Sequence, residues 1–345
     1  MEKLWCEIDL KSMEDNLELI RKNTSKRVLA VVKCNAYGLG IEEITSFLDK
    51  KVDGFVVSDL DEAEKVCSSK PVLILLPKID YEDLHRIKDN FILTIDNIEM
   101  LKKLKNRPYT VHIFVDSGMH RFGIRAQELD EMIRKIKGDY TNITIDGIYT
   151  HLNHPRDSKY TRKQIQTFRQ CVEKHVNQIP CIHLLNSRGY LKYKDVDFDN
   201  HIRIGNLLYG YCGTRHGFKK VFSYKARLVS RTKVGKNKYV GYGNRYKTKK
   251  ETYVGVVGVG YIHGFNSTRN VKSGLLHNLV RYIHQAIKRE ALIYLDGKPV
   301  DMLGGSSMNF TQIDLDGLEV DQDSIFDIKL SSILADGMIP KEYKY

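Results

Sequence analysis

Lys33 ends the apolar run Val28-Leu29-Ala30-Val31-Val32 and is followed by Cys34-Asn35-Ala36-Tyr37-Gly38-Leu39-Gly40. A run that is apolar on both faces reads as a strand, so Lys33 sits where the chain leaves a sheet and enters a glycine-rich turn. In a parallel α/β architecture ligands gather at the carboxyl ends of the strands, and a lysine in an apolar wall gives up its proton readily enough to form a Schiff base. Thr150-His151 and Asn186-Ser187 close two further apolar runs, and Arg203 sits inside a third, His201-Ile202-Arg203-Ile204. Taken singly, a strand-end lysine is usually solvated, an Asn-Ser pair usually caps a helix, and a strand histidine is usually structural.

The elements that must position these residues follow from the pattern of the chain. Candidate strands begin at Val28 and continue at 54–58, 72–76, 91–95, 111–115, 143–150, 182–185 and 202–204, with helical patterns such as 41–48, 60–66, 98–104, 126–136 and 162–175 between them. Strand-helix alternation repeated about eight times predicts a (β/α)8 barrel, with a doubly wound open sheet as the alternative. From about Gly217 the pattern changes to short alternating runs such as Thr252–Val257, which predicts a separate, mostly β domain. The expected organisation is therefore α/β: a barrel over residues 7–216, then a second domain over 217–345 that also takes in residues 1–6. A helical pattern at Ser273–Glu290 interrupts the second domain, with Leu276, Leu279, Val280, Ile283 and Ile287 on one face.

The 345 residues leave room for two domains, and a charged content of 28% with 7 prolines describes a soluble globular chain. No run approaches the length of a membrane span, and the first residues do not form a signal peptide, which points to the cytoplasm. Six cysteines without Cys-x-x-Cys pairs argue against a zinc site or a disulfide framework. The net charge of +12 raises nucleic acid as a partner, but basic and acidic residues are mixed along the chain, so a solvated basic surface is the preferred reading.

Several stretches together resemble the alanine racemase family. Lys33-Cys34-Asn35-Ala36-Tyr37-Gly38-Leu39-Gly40 is similar to its pyridoxal-phosphate lysine motif, and Arg203-Ile204-Gly205-Asn206-Leu207-Leu208-Tyr209-Gly210 to its Arg-x-Gly-x-x-Leu-Tyr-Gly signature. Asp116-Ser117-Gly118-Met119-His120-Arg121 resembles the Asp-Thr-Gly-Met-x-Arg loop, and Gly260-Tyr261-Ile262-His263-Gly264 the Gly-Tyr-x-x-Gly block. The resemblance implies pyridoxal 5'-phosphate on Lys33, with its phosphate held by Tyr37, Ser187 and the backbone of Gly205 and Asn206. It implies His151 against the ring and Arg203 at the ring nitrogen. Arginine there keeps the nitrogen neutral, whereas a carboxylate would protonate it and favour transamination. Arg121 and Met308 are implied at the substrate. Lys33 and Tyr261 are implied as the two bases of an amino-acid racemase, Tyr261 coming from the partner in a homodimer with shared active sites. A phenol with a reference pKa of about 10 is a poor base at neutral pH, so that role calls for nearby cations.

Four departures accompany the resemblance. Phe114 replaces a family lysine that is carbamylated to hold the arginine matching Arg121, leaving only a ring face to offer it. Asn309 replaces an aspartate, Gly337 aligns with a tyrosine, and 273–290 lengthens a short loop. Alanine is the default substrate, with serine or a larger amino acid open through Gly337 and Asn309. The competing functions are a related barrel-type decarboxylase, a cofactor-binding protein without turnover, and nucleic-acid binding.

Overall fold

Runs such as Phe91–Ile95 have no polar face to turn to water, so they need cover on both sides, and a barrel ringed by helices supplies it. The computed structural model describes residues 2–267, Gly274 and 291–345. Contacts divide the chain into two units, Leu10–Val221, and Met1–Asp9 with Phe222–Tyr345. The first ten strands are β1 (Leu4–Asp9), β2 (Arg27–Val31), β3 (Gly54–Val57), β4 (Val72–Ile74), β5 (Phe91–Ile95), β6 (Tyr109–Asp116), β7 (Ile124–Arg125), β8 (Ile143–Tyr149), β9 (Cys181–Asn186) and β10 (His201–Ile204).

Among the described residues, β2 to β6 and β8 to β10 form eight parallel strands, each paired to the next, and β10 pairs back onto β2. The result is a closed (β/α)8 barrel, with β7 adding only to the end of β6. Helices Ile41–Leu48, Leu60–Glu64, Ile98–Lys103, Leu129–Asp139, Ser158–Val172 and Ser187–Tyr193 fill crossovers, while a 3-10 turn, Tyr81–Arg86, serves after β4. Leu29, Val31, Val56, Leu73 and Ile92 form an apolar cluster inside, with Tyr37 and Leu75 packed on it.

Helix α1 (Leu10–Arg21) precedes the barrel strands and is fastened to the chain that follows β10. Buried Asn16 donates to the carbonyls of Leu208 at 3.1 Å and Lys219 at 2.8 Å, and its own carbonyl accepts from Lys219 N at 2.8 Å. Three bonds from one amide satisfy the buried carbonyl of Leu208, the part-buried carbonyl of Lys219 and one N–H, none of them served by secondary structure.

The second unit is mostly β. Its long strand Phe222–Val234 pairs antiparallel with β1, Thr252–Val257 and Ile325–Ile328, and Lys341–Lys344 runs parallel to β1. Glu7, Ile8 and Asp9, counted with the barrel in the sequence reading, stay in β1 because both neighbours hold them: Glu7 and Ile8 face Ser223 and Phe222, and all three face Glu342–Lys344. The helical pattern at Ser273–Glu290 lies, apart from Gly274, outside the described residues.

Replacing Asn16 with Ala leaves buried carbonyls without a donor and should cost about 2–4 kcal/mol. The check is the urea midpoint at unchanged slope; a midpoint equal to wild type contradicts the role given to Asn16.

Candidate functional site

Chain exit from β2 takes a form that the sequence did not announce. Cys34, Asn35, Ala36 and Tyr37 lie at φ of 53°, 53°, 52° and 59°, a left-handed turn built from four consecutive residues other than glycine. Such backbone costs about 1–2 kcal/mol per residue, so it persists only where surroundings hold it. Glu62 is one such clamp: its carboxylate accepts from Asn35 N and from Ser58 N, both at 2.9 Å, tying the turn to the end of β3. Asn35 Oδ1 accepts from Ile41 N at 2.8 Å, closing the far end. Lys33 stands at the start of this turn.

Lys33 lines a cavity of about 270 Å3 at the carboxyl ends of the strands, shared with Tyr37, His151, Ser187, Arg203, Gly205 and Asn206. Asn153, His154, Arg156 and Arg188 complete its polar rim. Ser187 Oγ accepts from Gly205 N at 3.1 Å and from Leu207 N at 3.3 Å, so one hydroxyl organises the turn after β10 and keeps its own proton to donate. Gly205 must lack a side chain, since a Cβ would lie 2.4 Å from Tyr37 Oη. Burial pushes the Tyr37 phenol well above its ordinary pKa, so it faces the cavity protonated. Tyr37, Ser187 and the backbone at 205 and 206 thus form a neutral, donor-rich corner suited to a phosphate group.

Arg203 is 3% exposed, and among the described residues it makes no salt bridge. It donates to His183 Nδ1, to the His183 carbonyl at 3.3 Å and to the Thr150 carbonyl at 2.7 Å, and lies over the Tyr149 ring at 5.1 Å. Burial lowers its pKa to about 10, still charged at neutral pH. His151 is held neutral, its pKa lowered to about 3 by burial and then by the charges of Arg203, Arg121 and Lys33. His183 and His112 are likewise kept neutral, mainly by burial. Together with Cys181 they form a cluster of metal-ligand type, but their ring nitrogens are engaged with Arg203, one another and Asp146, leaving none for an ion.

Arg121 is not among the residues lining this cavity. It is exposed, over the Phe122 ring at 5.4 Å. The sequence leaves Arg121 in need of an anchor other than Phe114, and the Phe114 ring, buried in the barrel, stacks on Tyr149 at 4.5 Å and 6°. Asp116 fixes the loop leading to Arg121 by accepting from Gly118, Met119 and His120 N at 2.9, 2.8 and 3.1 Å. Burial alone would raise the Asp116 pKa, yet these backbone donors outweigh it and hold it low.

In the second unit Tyr261 opens a short 3-10 turn, Tyr261–His263, with its side chain exposed. Tyr261 N and Ile262 N bond to the carbonyls of Ser307 and Met308, both at 3.1 Å, which brings Tyr261 and Met308 side by side. Gly260 makes this possible, since a Cβ there would meet the Met308 carbonyl at 2.3 Å. Around Gly337, among the described residues, nothing lies within 4 Å of where a Cβ would stand.

A parallel barrel with a lysine and a buried arginine around a cavity at its strand ends has the architecture of a barrel enzyme whose site lies at the carboxyl ends of the strands. The family model described as "Alanine racemase, N-terminal domain" matches residues 8–213, and "Alanine racemase, C-terminal domain" matches 221–333. The chain belongs to the alanine racemase family. It is 30% identical over 313 residues to a protein named alanine racemase from Aquifex pyrophilus, covering 88% of this chain and 82% of that one. A second, from Actinobacillus succinogenes, is 30% identical over 331 residues, 91% of this chain and 86% of its own. The solved alanine racemase of Clostridium difficile 630 shares the fold with a TM-score of 0.86 at 21% identity, covering 100% of this chain and 96% of that one.

Glu62→Ala should release the left-handed turn. Amide exchange at residues 34–38 should accelerate by about tenfold or more, as expected for losing hydrogen bonds to a charged acceptor, while the strand amides of β5 and β6 stay protected. Unchanged exchange at 34–38 contradicts the clamp.

Proposed function

We propose that this chain is a pyridoxal 5'-phosphate-dependent amino-acid racemase, with alanine as its main substrate. The observation that carries the reading is the single cavity lined by Lys33, Arg203 and the donor corner of Tyr37, Ser187, Gly205 and Asn206. These residues fit the cofactor: Gly205 lets the Tyr37 hydroxyl stand against the turn after β10 beside Ser187, and Arg203 is a buried donor with, among the described residues, no ion-pair partner. When bound, the cofactor delocalises the electron pair left at the substrate α-carbon.

The chain's own residues do the rest. Arg203 cannot surrender its proton to the ring nitrogen, so the electron pair stays at the α-carbon and reprotonation there is favoured over transamination. His151, neutral by burial, would pack against the cofactor ring, and Arg121, exposed outside the cavity lining, and Met308, beside Tyr261, would contact the substrate from outside that lining. Lys33 Nζ moves the proton on one face of the α-carbon. Tyr261 Oη, supplied by the partner of a homodimer, moves it on the other, so that two fixed groups connect the enantiomers without turning the intermediate over. The departures at Gly337 and Asn309 make serine the second substrate to test.

Incubation with pyridoxal phosphate and a panel of L-amino acids, followed by chiral analysis, tests this directly. L-Alanine should approach equal amounts of the two enantiomers; retained chirality throughout, or carbon dioxide release, refutes it. Tyr261→Phe should lower racemisation by about 10²–10⁴-fold, the range of general acid–base catalysis. In deuterated water that variant should exchange the α-proton of D-alanine much faster than that of L-alanine. Equal exchange would demote Tyr261 to a structural tyrosine.

A further inference from the structure

Behind Arg203 a chain of hydrogen bonds runs away from the cavity through the barrel interior. Arg203 donates to His183 Nδ1, His183 Nε2 lies 3.0 Å from His112 Nδ1, and His112 Nε2 lies 3.0 Å from Asp146 Oδ2. A guanidinium only donates, so His183 Nδ1 must be the bare nitrogen and Nε2 must carry the proton. His112 Nδ1 then accepts, and its own Nε2–H points at the Asp146 carboxylate. Each bond fixes the sense of the next, and the two ends agree: Arg203 can only donate, and the half-buried Asp146 carboxylate only accepts.

Two features of the backbone serve this chain of bonds. Where β6 meets β8 the register shifts between Val111 and His112, which re-aims the His112 ring. Beside it Gly147 has no side chain, and a Cβ there would lie 2.5 Å from His112 Nε2. Tyr149 stacks on His183 at 4.8 Å, and the bond from His112, with the charge of Arg27 farther off, holds the Asp146 carboxyl below its ordinary range. His112 Nε2 thus meets an acceptor that stays charged.

We propose that Asp146 and His112 are positioning residues for the reaction: they hold the His183 ring from the end opposite Arg203, keep its bare nitrogen aimed at the guanidinium, and so hold that group in place beside the cofactor ring nitrogen. This rests on the placement of Arg203 given above. Without the acceptor at 146, the His112 Nε2–H is left unmet in the barrel interior, and the His183 ring is fixed at its Arg203 end alone.

The test is 15N NMR of the imidazole nitrogens in histidine-labelled holoprotein, with a count of pyridoxamine phosphate formed per racemisation event. In wild type both His183 and His112 should carry the proton on Nε2. Asp146→Leu should let the His112 ring turn and sample its second tautomer, and raise side transamination by about tenfold, the scale of one hydrogen bond to a charged group. Asp146→Asn, which keeps a carbonyl acceptor, should restore the wild-type tautomers and stay within about twofold of its partition. An Nδ1 proton on His183 in wild type overturns the proposal even if the leucine variant fails to fold. So does an Asp146→Leu protein whose tautomers or partition match wild type. If wild type does not racemise any amino acid, the reading of the function fails instead, while the NMR result still judges the relay.

Discussion

Closure of the barrel between β2 and β10 is the constraint on which the site depends. These strands are separated by roughly the whole length of the barrel sequence, yet Arg203 pairs in register with Leu29, and Ile204 with Ala30. The pairing sets the exit of β2, with Lys33, beside the exit of β10, with Gly205 and Asn206. Neither strand end holds a site by itself. Long-range parallel pairing is slow to form and gives no reward until the loop entropy has been met, so closure and the completion of the cavity arrive together. Asn16 and the carbonyls it satisfies act at the same seam, joining the helix before β2 to the chain after β10.

Closure also creates a problem, which is a cation inside a barrel. Arg203 is buried and, among the described residues, makes no salt bridge, an arrangement that costs heavily unless its donors are all directed at acceptors. The structure answers with backbone carbonyls, an aromatic face and a neutral histidine. Keeping the acceptors neutral leaves Arg203 with its charge and its bond directions but no tight ion pair, which suits a group that has to face a ligand as well. The donor corner at Tyr37 and Ser187 follows the same logic with uncharged groups, although Arg156 and Arg188 stand at the rim.

Much of this was legible in the sequence. Phe91–Ile95 and Ile41–Leu48 are read to the residue because a wholly apolar run and a strong 3.6-residue period leave few alternatives. Lys33, Tyr37, His151, Ser187, Arg203, Gly205 and Asn206 do share one cavity, as strand-end positions should. The left-handed turn was hidden because Cys34, Asn35, Ala36 and Tyr37 carry no local signal for positive φ; it is imposed by Glu62 and by what surrounds it. His112 and His183 were missed although each is a polar residue within an apolar run. That signal was present, but pairing them required knowing that β6 and β9 both face the barrel interior with β8 between them. The attachment of Glu7–Asp9 to the second unit depends on partners at Phe222 and Lys344, far along the chain, and no window of sequence contains them.

Borohydride reduction of the protein mixed with pyridoxal phosphate, followed by peptide mapping, addresses the central claim that closure makes Lys33 the residue that meets the cofactor. The account predicts the cofactor-derived mass on the peptide containing Lys33, with the other lysines unmodified at one equivalent. A stable label on a different lysine, with Lys33 unmodified, would contradict it.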